Sequence, residues 1–322
     1  MITNHLLPVI LLVLLSTTAG SAEELVIFHA GSLTVPLHEL SNVFQKHNPN
    51  IHVRLEGAGS RMCARKIIDL GKRCDIFASA DYTVIDDLLM PQWAKWSILF
   101  AGNEMVIAYT DQSARAQELD SRNWPQILLD PHVYFARSNP QLDPCGYRTL
   151  MVIRLAEKFY GIEKLSQKLE AKDRRWIRPK ETDLLPLLQS GSIDYLFIYR
   201  SLAVQHKLKF LTLPPAINLG SLQHAGHYRT VSVRLSGKQP GSFINKHARP
   251  MRYAVTIPAC VRNRTAAIKF IRMLIDPEIG GRILRRCGQP PIIPALARGS
   301  TDVPGELQPF IRHNQEAKNS TQ

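Results

Sequence analysis

The sequence lacks the features that define several common classes of protein. Its five cysteines are odd in number and include no C-x-x-C pair, so neither a zinc site nor a full disulfide framework is indicated, and we expect all of them to be unpaired: Cys63, Cys74, Cys145, Cys260 and Cys287. No aromatic-interleaved basic stripe and no zinc-finger or helix-turn-helix signature is present, which argues against nucleic acid as a partner. There is no repeat of solenoid period and no low-complexity segment.

Acidic residues are few relative to basic ones. The 322 residues contain 40 Lys and Arg against 27 Asp and Glu, a net charge of +13 that favours anionic partners. Because the basic residues are scattered, a small oxyanion is a better candidate than nucleic acid or an acidic membrane face. The composition, 45% hydrophobic and 21% charged, is that of a globular protein whose length favours two domains.

Long apolar runs are also scarce. Residues 6–15 form one that is too short to span a bilayer, and small residues follow it over 16–22. This pattern predicts a cleaved export signal over residues 1–22, although the residues before the run include no Lys or Arg. With no second long run, we expect the mature chain to be soluble in the periplasm or elsewhere outside the cytoplasm.

A unit of strand, small-residue turn and helix recurs along the first part of the mature chain. Ser32 follows a β-prone run and precedes an amphipathic helix, and Ser60 occupies the same place in the next unit. Each serine can bind an anion together with nearby N–H groups, or can simply cap its own helix. Alternating strands and helices predict a doubly wound α/β sheet, in which such turns meet at the carboxyl edge of the strands.

The stretch from Asp143 to Arg148 has the same design in the second half of the chain. It contains Pro144 and Gly146 and is predicted to be a loop that leads into a helix over residues 150–159. The N–H groups of such a helix start, near Cys145, form an anion site. Glu181 lies near another predicted helix start, where it can be an ordinary first-turn carboxylate, and Tyr199 ends an apolar strand where a phenol can face a cleft.

The chain is predicted to cross between its two lobes twice. Apolar strands over residues 105–110 and 251–257 are the crossing segments, so that one lobe comprises residues 23–108 with 254–322 and the other residues 109–253. Six motifs in this order together resemble the tungstate- and molybdate-binding proteins of ABC importers, especially the tungstate-type branch common in archaea. They lie at residues 29–33, 57–60, 78–82, 100–110, 143–148 and 194–201.

The resemblance implies a type II periplasmic-binding fold, with two α/β lobes that each contain a doubly wound mixed sheet and close on a tetrahedral oxyanion between them. It implies that Ser32, Ser60, the N–H groups near Cys145, and Tyr199 bind the oxyanion. Asp143 matches one of two carboxylates that complete the coordination of the metal in archaeal-type members, and Glu181 corresponds to the second. It further implies a monomer without cofactor or catalytic residues that delivers its ligand to a membrane permease with an ATPase.

Carboxylates beside a dianion repel it unless they bond to the metal itself. Mo(VI) and W(VI) are hard Lewis acids that can expand from four to six oxygen ligands, whereas sulfur and phosphorus centres cannot readily do so. Asp143 and Glu181 would therefore favour tungstate or molybdate over sulfate and phosphate. In the alternative, both carboxylates bind backbone or Arg148 and the ligand is sulfate, phosphate or a small organic anion. A further alternative is an enzyme in which Cys145, with a pKa lowered by the helix start, is a nucleophile and a histidine such as His206 is its base.

Overall fold

A computed structural model describes residues 23–299 and 302–313. The predicted export signal lies outside these residues. The strands are β1 (Glu23–Ala30), β2 (Ile51–Ala58), β3 (Ile76–Ser79), β4 (Trp96–Gly102), β5 (Met105–Tyr109), β6 (Phe135–Ser138), β7 (Ile177–Arg178), β8 (Tyr195–Tyr199), β9 (Lys209–Thr212), β10 (Ser232–Ser236), β11 (Phe243–His247), β12 (Arg252–Thr256), β13 (Pro291–Gly299) and β14 (Ile311–His313).

The helices are α1 (Thr34–His47), α2 (Ser60–Leu70), α3 (Tyr82–Val84), α4 (Trp124–Leu129), α5 (Pro144–Tyr160), α6 (Leu165–Ala171), α7 (Leu185–Gln189), α8 (Arg200–Gln205), α9 (Ala225–Tyr228), α10 (Arg264–Ile275) and α11 (Gly280–Arg286). Short 3-10 turns at Gly31–Leu33, Arg174–Trp176, Glu181–Leu184 and Gly305–Phe310, and a π-helical turn at Ile85–Leu89, complete the described elements. Within the described ranges, no helix is both long and apolar enough to span a membrane.

Local sequence explains where the main helices begin and end. Helix α2 is followed by Gly71 and α5 by Gly161, both in the left-handed conformation that glycine adopts at least cost. At the start of α10 the side chain of Asn263 accepts a hydrogen bond from the N–H of Ala266 at 3.2 Å. The end of α5 at Tyr160 agrees with the helix predicted over residues 150–159.

The first sheet has seven strands in the order β14-β13-β4-β12-β3-β1-β2. Strands β2, β1 and β3 are parallel, so their carboxyl ends share one edge. The late strand β12 lies between β3 and β4 and is antiparallel to both. This sheet is therefore assembled from the beginning and the end of the described chain.

The second sheet has five strands in the order β7-β6-β8-β5-β9 and comes from the middle of the chain. Strands β7, β6 and β8 are parallel, while β5 runs antiparallel to β8 and β9. Strands β10 and β11 form a separate antiparallel hairpin. The predicted α/β class with two mixed sheets is confirmed.

Several details differ from the sequence prediction. The stretch from Pro144 to Arg148 is the first turn of α5 and not a loop before it; Gly146 packs so closely on the end of β6 that a Cβ there would lie 2.3 Å from the carbonyl oxygen of Ser138. The sequence does not predict strands β4, β7, β9, β13 and β14. The predicted lobe boundaries at residues 108 and 253 fall inside β5, which lies in the second sheet, and β12, which lies in the first.

Candidate functional site

The first sheet places two serines at the carboxyl edge of its parallel strands. Ser32 lies in the 3-10 turn after β1, and Ser60 is the first residue of α2, after β2. In the second sheet, Asp143 precedes α5 after β6, Glu181 begins the turn after β7, and Tyr199 ends β8. All of these residues lie at or soon after the carboxyl end of a strand, which is where α/β proteins bind their ligands.

The two edges face each other across a buried polar site. A Cβ built on Gly31 would lie 3.2 Å from Oε1 of Glu181, and one built on Gly59 would lie 3.0 Å from Cβ of Asp143. The phenol rings of Tyr199 and Tyr253 have their centroids 6.3 Å apart. The structure therefore brings together the six residues that the sequence predicted, each at most 1% exposed: Ser32, Ser60, Asp143, Cys145, Glu181 and Tyr199.

Three hydroxyl groups of the site each accept a hydrogen bond from a protein donor. Ser60 Oγ accepts from the N–H of Ala80 at 3.0 Å. Tyr199 Oη accepts from Arg148 Nη1 at 3.0 Å, and Ser32 Oγ accepts from the Tyr253 hydroxyl at 2.9 Å. Within the described chain none of the three has an acceptor for its own proton, so each can donate that proton to a ligand.

The two carboxylates have no such partners. Within the described residues no hydrogen bond of normal geometry is formed at Oδ2 of Asp143 or at either Oε of Glu181, although both side chains are buried and the N–H of Ser32 lies near enough to Glu181 to oppose the rise of its pKa in part. Burial raises the pKa of Asp143, and the neighbouring Glu181 and Arg148 oppose this shift only in part. Burial and the Asp143 charge raise the pKa of Glu181 well above its usual range. Ionising such buried carboxyl groups costs free energy unless a nearby positive charge compensates for the lost hydration.

Arg148 does not balance them, because its bonds go elsewhere. It donates to the carbonyl oxygen of Ala80 at 2.8 Å and to Tyr199, and its Nη2 lies 3.6 Å from Oδ2 of Asp81. Burial opposes the shift, but Lys246 and Arg148 lower the pKa of Asp81 to about 2. Arg148 therefore forms no direct hydrogen bond with Asp143 or Glu181.

Cys145 lies in the first turn of α5 with its thiol 3.6 Å from the carbonyl oxygen of Phe197. The expected lowering of its pKa is wrong: burial, together with the charges of Asp143 and Glu181, raises the pKa well above the usual value. No hydrogen bond joins Cys145 to a histidine anywhere in the described ranges. The thiol is therefore protonated and lacks the base that a nucleophilic cysteine needs.

Direct hydrogen bonds join the two sheets' elements around the site. The N–H of Met62 donates to the carbonyl oxygen of Leu142 at 3.1 Å, and Arg61 Nε donates to that of Gln141 at 3.0 Å. The β10–β11 hairpin extends from the second half over α2, where Arg65 Nη1 donates to the carbonyl oxygen of Lys238 at 2.7 Å. These contacts connect the elements on the two sides of the buried site.

Sequence reasoning missed three contributors to the site. Arg148 lies inside the motif at residues 143–148, but the sequence suggests it only as a partner of Asp143 and Glu181. Tyr253 and Asn103 lie in or beside the crossing strands, where apolar packing is expected. Spacing gives no signal for them, because their partners are distant in sequence. Among the described residues no cluster of three or more His, Cys, Asp or Glu could hold a metal cation, so the two carboxylates stand alone.

Two mixed sheets that face each other across a buried polar site define the architecture of a periplasmic-binding protein, with a type II fold. The structure resembles the periplasmic molybdate-binding protein of Azotobacter vinelandii, with a TM-score of 0.58 at 19% identity over 82% of this chain and 98% of that one. It also resembles the sulfate-binding protein SubI of Mycobacterium tuberculosis, with a TM-score of 0.59 at 11% identity over 90% and 94%. At these identities the likeness shows the fold alone.

The chain belongs to the family of bacterial extracellular solute-binding proteins, whose sequence profile matches residues 25–288. It is 45% identical over 290 residues to a solute-binding protein of Petrotoga mobilis, covering 90% of each chain. It is 39% identical over 321 residues to the molybdate/tungstate-binding protein WtpA of Pyrococcus abyssi, covering 91% of each. Extracellular solute-binding proteins serve transport. Membership of this family therefore places the chain outside the cytoplasm.

Proposed function

We propose that the protein captures tungstate or molybdate and delivers it to a membrane permease driven by an ATPase. The observation that carries this proposal is the pair of buried carboxylates, Asp143 and Glu181, that have unpartnered oxygens beside three hydroxyl donors. The donors suit the oxygens of a tetrahedral dianion. The carboxylates suit its metal, because a hard, high-valent metal accepts further oxygen ligands.

The pair also gives a physical basis for selectivity. Sulfate and phosphate expose only oxygen to Asp143 and Glu181, so neither anion compensates for ionising this buried pair, and any carboxylate that is ionised in the dry site repels it. In a metal oxyanion, Asp143 and Glu181 would instead bond to the metal, and these two metal–oxygen bonds would outweigh the repulsion. The relative WtpA, named for molybdate and tungstate, supports the same ligand class for this chain.

The two sheets support a division into lobes with boundaries slightly different from those expected from sequence. One lobe comprises residues 23–102 and 252–313, the other residues 105–250, and the chain crosses between them before β5 and before β12. The contacts between α2 and residues 141–142 belong to the closed arrangement, which a bridging ligand stabilises by its greater affinity for it. The protein acts as a monomer, after removal of residues 1–22.

Calorimetric titration of residues 23–322 with tungstate, molybdate and sulfate tests the proposal. We expect tungstate and molybdate to bind at least about a thousandfold more tightly than sulfate, a difference of roughly 4 kcal/mol. The two metal oxyanions have nearly the same size and charge and are expected to compete for one site. Equal affinity for sulfate would remove the metal-binding role of the carboxylates, and no binding of any oxyanion would refute the proposal.

The enzymatic alternative is tested by Cys145→Ser. Because the thiol is buried, protonated and without a base, we expect this variant to bind tungstate within about twofold of the wild type, since it removes only a weak thiol hydrogen bond. Alkylation of the native, folded protein with iodoacetamide should likewise leave Cys145 unmodified, as mass spectrometry of tryptic peptides would show. Rapid alkylation of Cys145 would contradict the inert thiol described above.

A further inference from the structure

Tyr253 is a buried tyrosine and the second residue of β12, the strand that follows the second crossing between the sheets. Its hydroxyl lies between two polar side chains. It donates to Ser32 Oγ at 2.9 Å and accepts from Asn103 Nδ2 at 2.9 Å. The phenol thus donates its proton toward Ser32 and accepts from Asn103, and the side chain of Gln289 is a further polar neighbour of its oxygen.

The direction of this chain of hydrogen bonds matters for Ser32. A serine hydroxyl has one proton, and it can rotate to donate this proton in several directions unless its oxygen already accepts a hydrogen bond. Because Tyr253 donates to Ser32 Oγ, the serine proton is directed away from the phenol and toward the site. The carbonyl oxygen of Ser32 also accepts from Gln289 Nε2 at 3.0 Å, which fixes the backbone of the same residue.

Asn103 connects this chain to the second half of the molecule. It lies between β4 and β5, in the first crossing segment, and its Nδ2 also donates to Ser201 Oγ at 2.7 Å. Its Oδ1 accepts from the N–H groups of Glu104 at 2.9 Å and Ser201 at 3.3 Å. Ser201 is two residues beyond Tyr199, so the network passes through the crossing segment from one face of the site to the other.

We infer that Tyr253 is a positioning residue for oxyanion binding, which orients the Ser32 hydroxyl as a donor, and that Asn103 orients Tyr253 in turn. The inference deepens the proposed function and rests on it. The phenol of Tyr253 does not need to touch the ligand, because it acts through Ser32. Its effect on affinity is therefore expected to disappear when Ser32 has no hydroxyl.

A double-mutant cycle of Tyr253→Phe and Ser32→Ala tests this dependence. Tyr253→Phe alone is expected to weaken tungstate binding about three- to tenfold, the range for a neutral hydrogen bond. In the Ser32→Ala background the same change is expected to alter affinity less than about twofold. Calorimetry with tungstate, and with sulfate as a second probe, gives the four affinities, and thermal unfolding of each ligand-free variant shows that it is folded.

Two controls separate positioning from general effects. Tyr199 is held by Arg148 and not by Tyr253, so Tyr199→Phe and Ser32→Ala are expected to have additive effects on affinity. Tyr195 is a buried tyrosine whose hydroxyl donates to the carbonyl oxygen of Ala114 at 2.6 Å, away from the site. Tyr195→Phe removes the same atom and is expected to leave affinity unchanged.

The outcomes distinguish this inference from the function on which it rests. If Ser32→Ala binds tungstate as tightly as the wild type, the serine is not a ligand donor and the proposed site is wrong. If Ser32→Ala weakens binding but Tyr253→Phe has the same effect with and without the serine hydroxyl, the proposed site stands and the positioning role of Tyr253 is refuted. A Tyr253→Phe variant that is folded and binds as the wild type also refutes it.

Discussion

Replacing both buried carboxyls, in the double variant Asp143→Asn with Glu181→Gln, is expected to abolish tungstate and molybdate binding while making the ligand-free protein more stable. Loss of outer partners of metal ligands alone typically weakens binding about 10- to 100-fold, so the loss of two inner ligands should exceed a hundredfold. The amides keep the shape of the site but cannot supply anionic oxygens to a metal. Titration calorimetry measures the first effect and thermal unfolding the second.

The gain in stability follows from the raised pKa values of the pair. A carboxyl whose pKa is higher in the folded than in the unfolded state holds its proton more tightly when folded, so its contribution to stability is complete below the unfolded pKa of about 4 and is lost as the pH rises through the folded pKa. The ligand-free wild type should therefore lose stability relative to the double variant as the pH rises from 4 to 8. At neutral pH we expect a difference of roughly 1–3 kcal/mol.

Asp183→Asn is the matched control, because Asp183 lies two residues from Glu181 but is partly exposed, with its Oδ1 3.6 Å from Lys180 Nζ. It should leave tungstate affinity unchanged. A double carboxyl variant that still binds tungstate as the wild type would show that the metal is not coordinated by these groups. A double variant that gains affinity for sulfate while losing tungstate would support the selectivity argument directly.

Gly59→Ala is expected to weaken tungstate binding about ten- to a hundredfold by opposing closure of the lobes. The backbone of Gly59, at φ −59° and ψ 138°, suits alanine, so no backbone strain arises within its own lobe. The added Cβ would, however, lie 2.5 Å from the carbonyl oxygen of Leu142 on the facing lobe. Overpacking of this kind costs about 1–3 kcal/mol, which closure would have to overcome.

Small-angle scattering measures the overall compactness of the molecule, which a change in local packing alone would not alter. The wild type should become more compact on saturation with tungstate, whereas Gly59→Ala should remain extended at the same concentration. Gly226→Ala serves as the control, because a Cβ at Gly226 meets nothing within 4 Å. Full compaction of Gly59→Ala with unchanged affinity would show that the contact between Gly59 and Leu142 is not part of closure.

Much of the candidate site could be predicted because it lies where parallel strands end. Ser32 and Ser60 follow strands that periodicity identifies, and the resemblance of the Asp143 motif and of the strand before Tyr199 to a known family supplied the remaining positions. Strand β8 was also predictable, since its apolar run is short and bounded by turn residues. These features depend on residues that are close in sequence, so the pattern of a single sequence is enough to predict them.

The missed features depend on contacts between distant residues. The raised pKa of Cys145 results from complete burial against two carboxylates, one of them 36 positions away, and this outweighs the helix start that suggested a lowered value. Tyr253 reaches Ser32 across 221 positions. Strand β13 contains prolines at 291 and 294, which weaken any strand prediction and are tolerated here in a strand with irregular register against β4.

The place of β12 in the first sheet determines the order in which the molecule can be assembled. Because β12 lies between β3 and β4, the earlier strands of that sheet cannot acquire their complete pairing until about residue 256 has been synthesised. The middle of the chain forms its own sheet and can fold first, whereas the first lobe must wait for a contact of very long range, which is intrinsically slow.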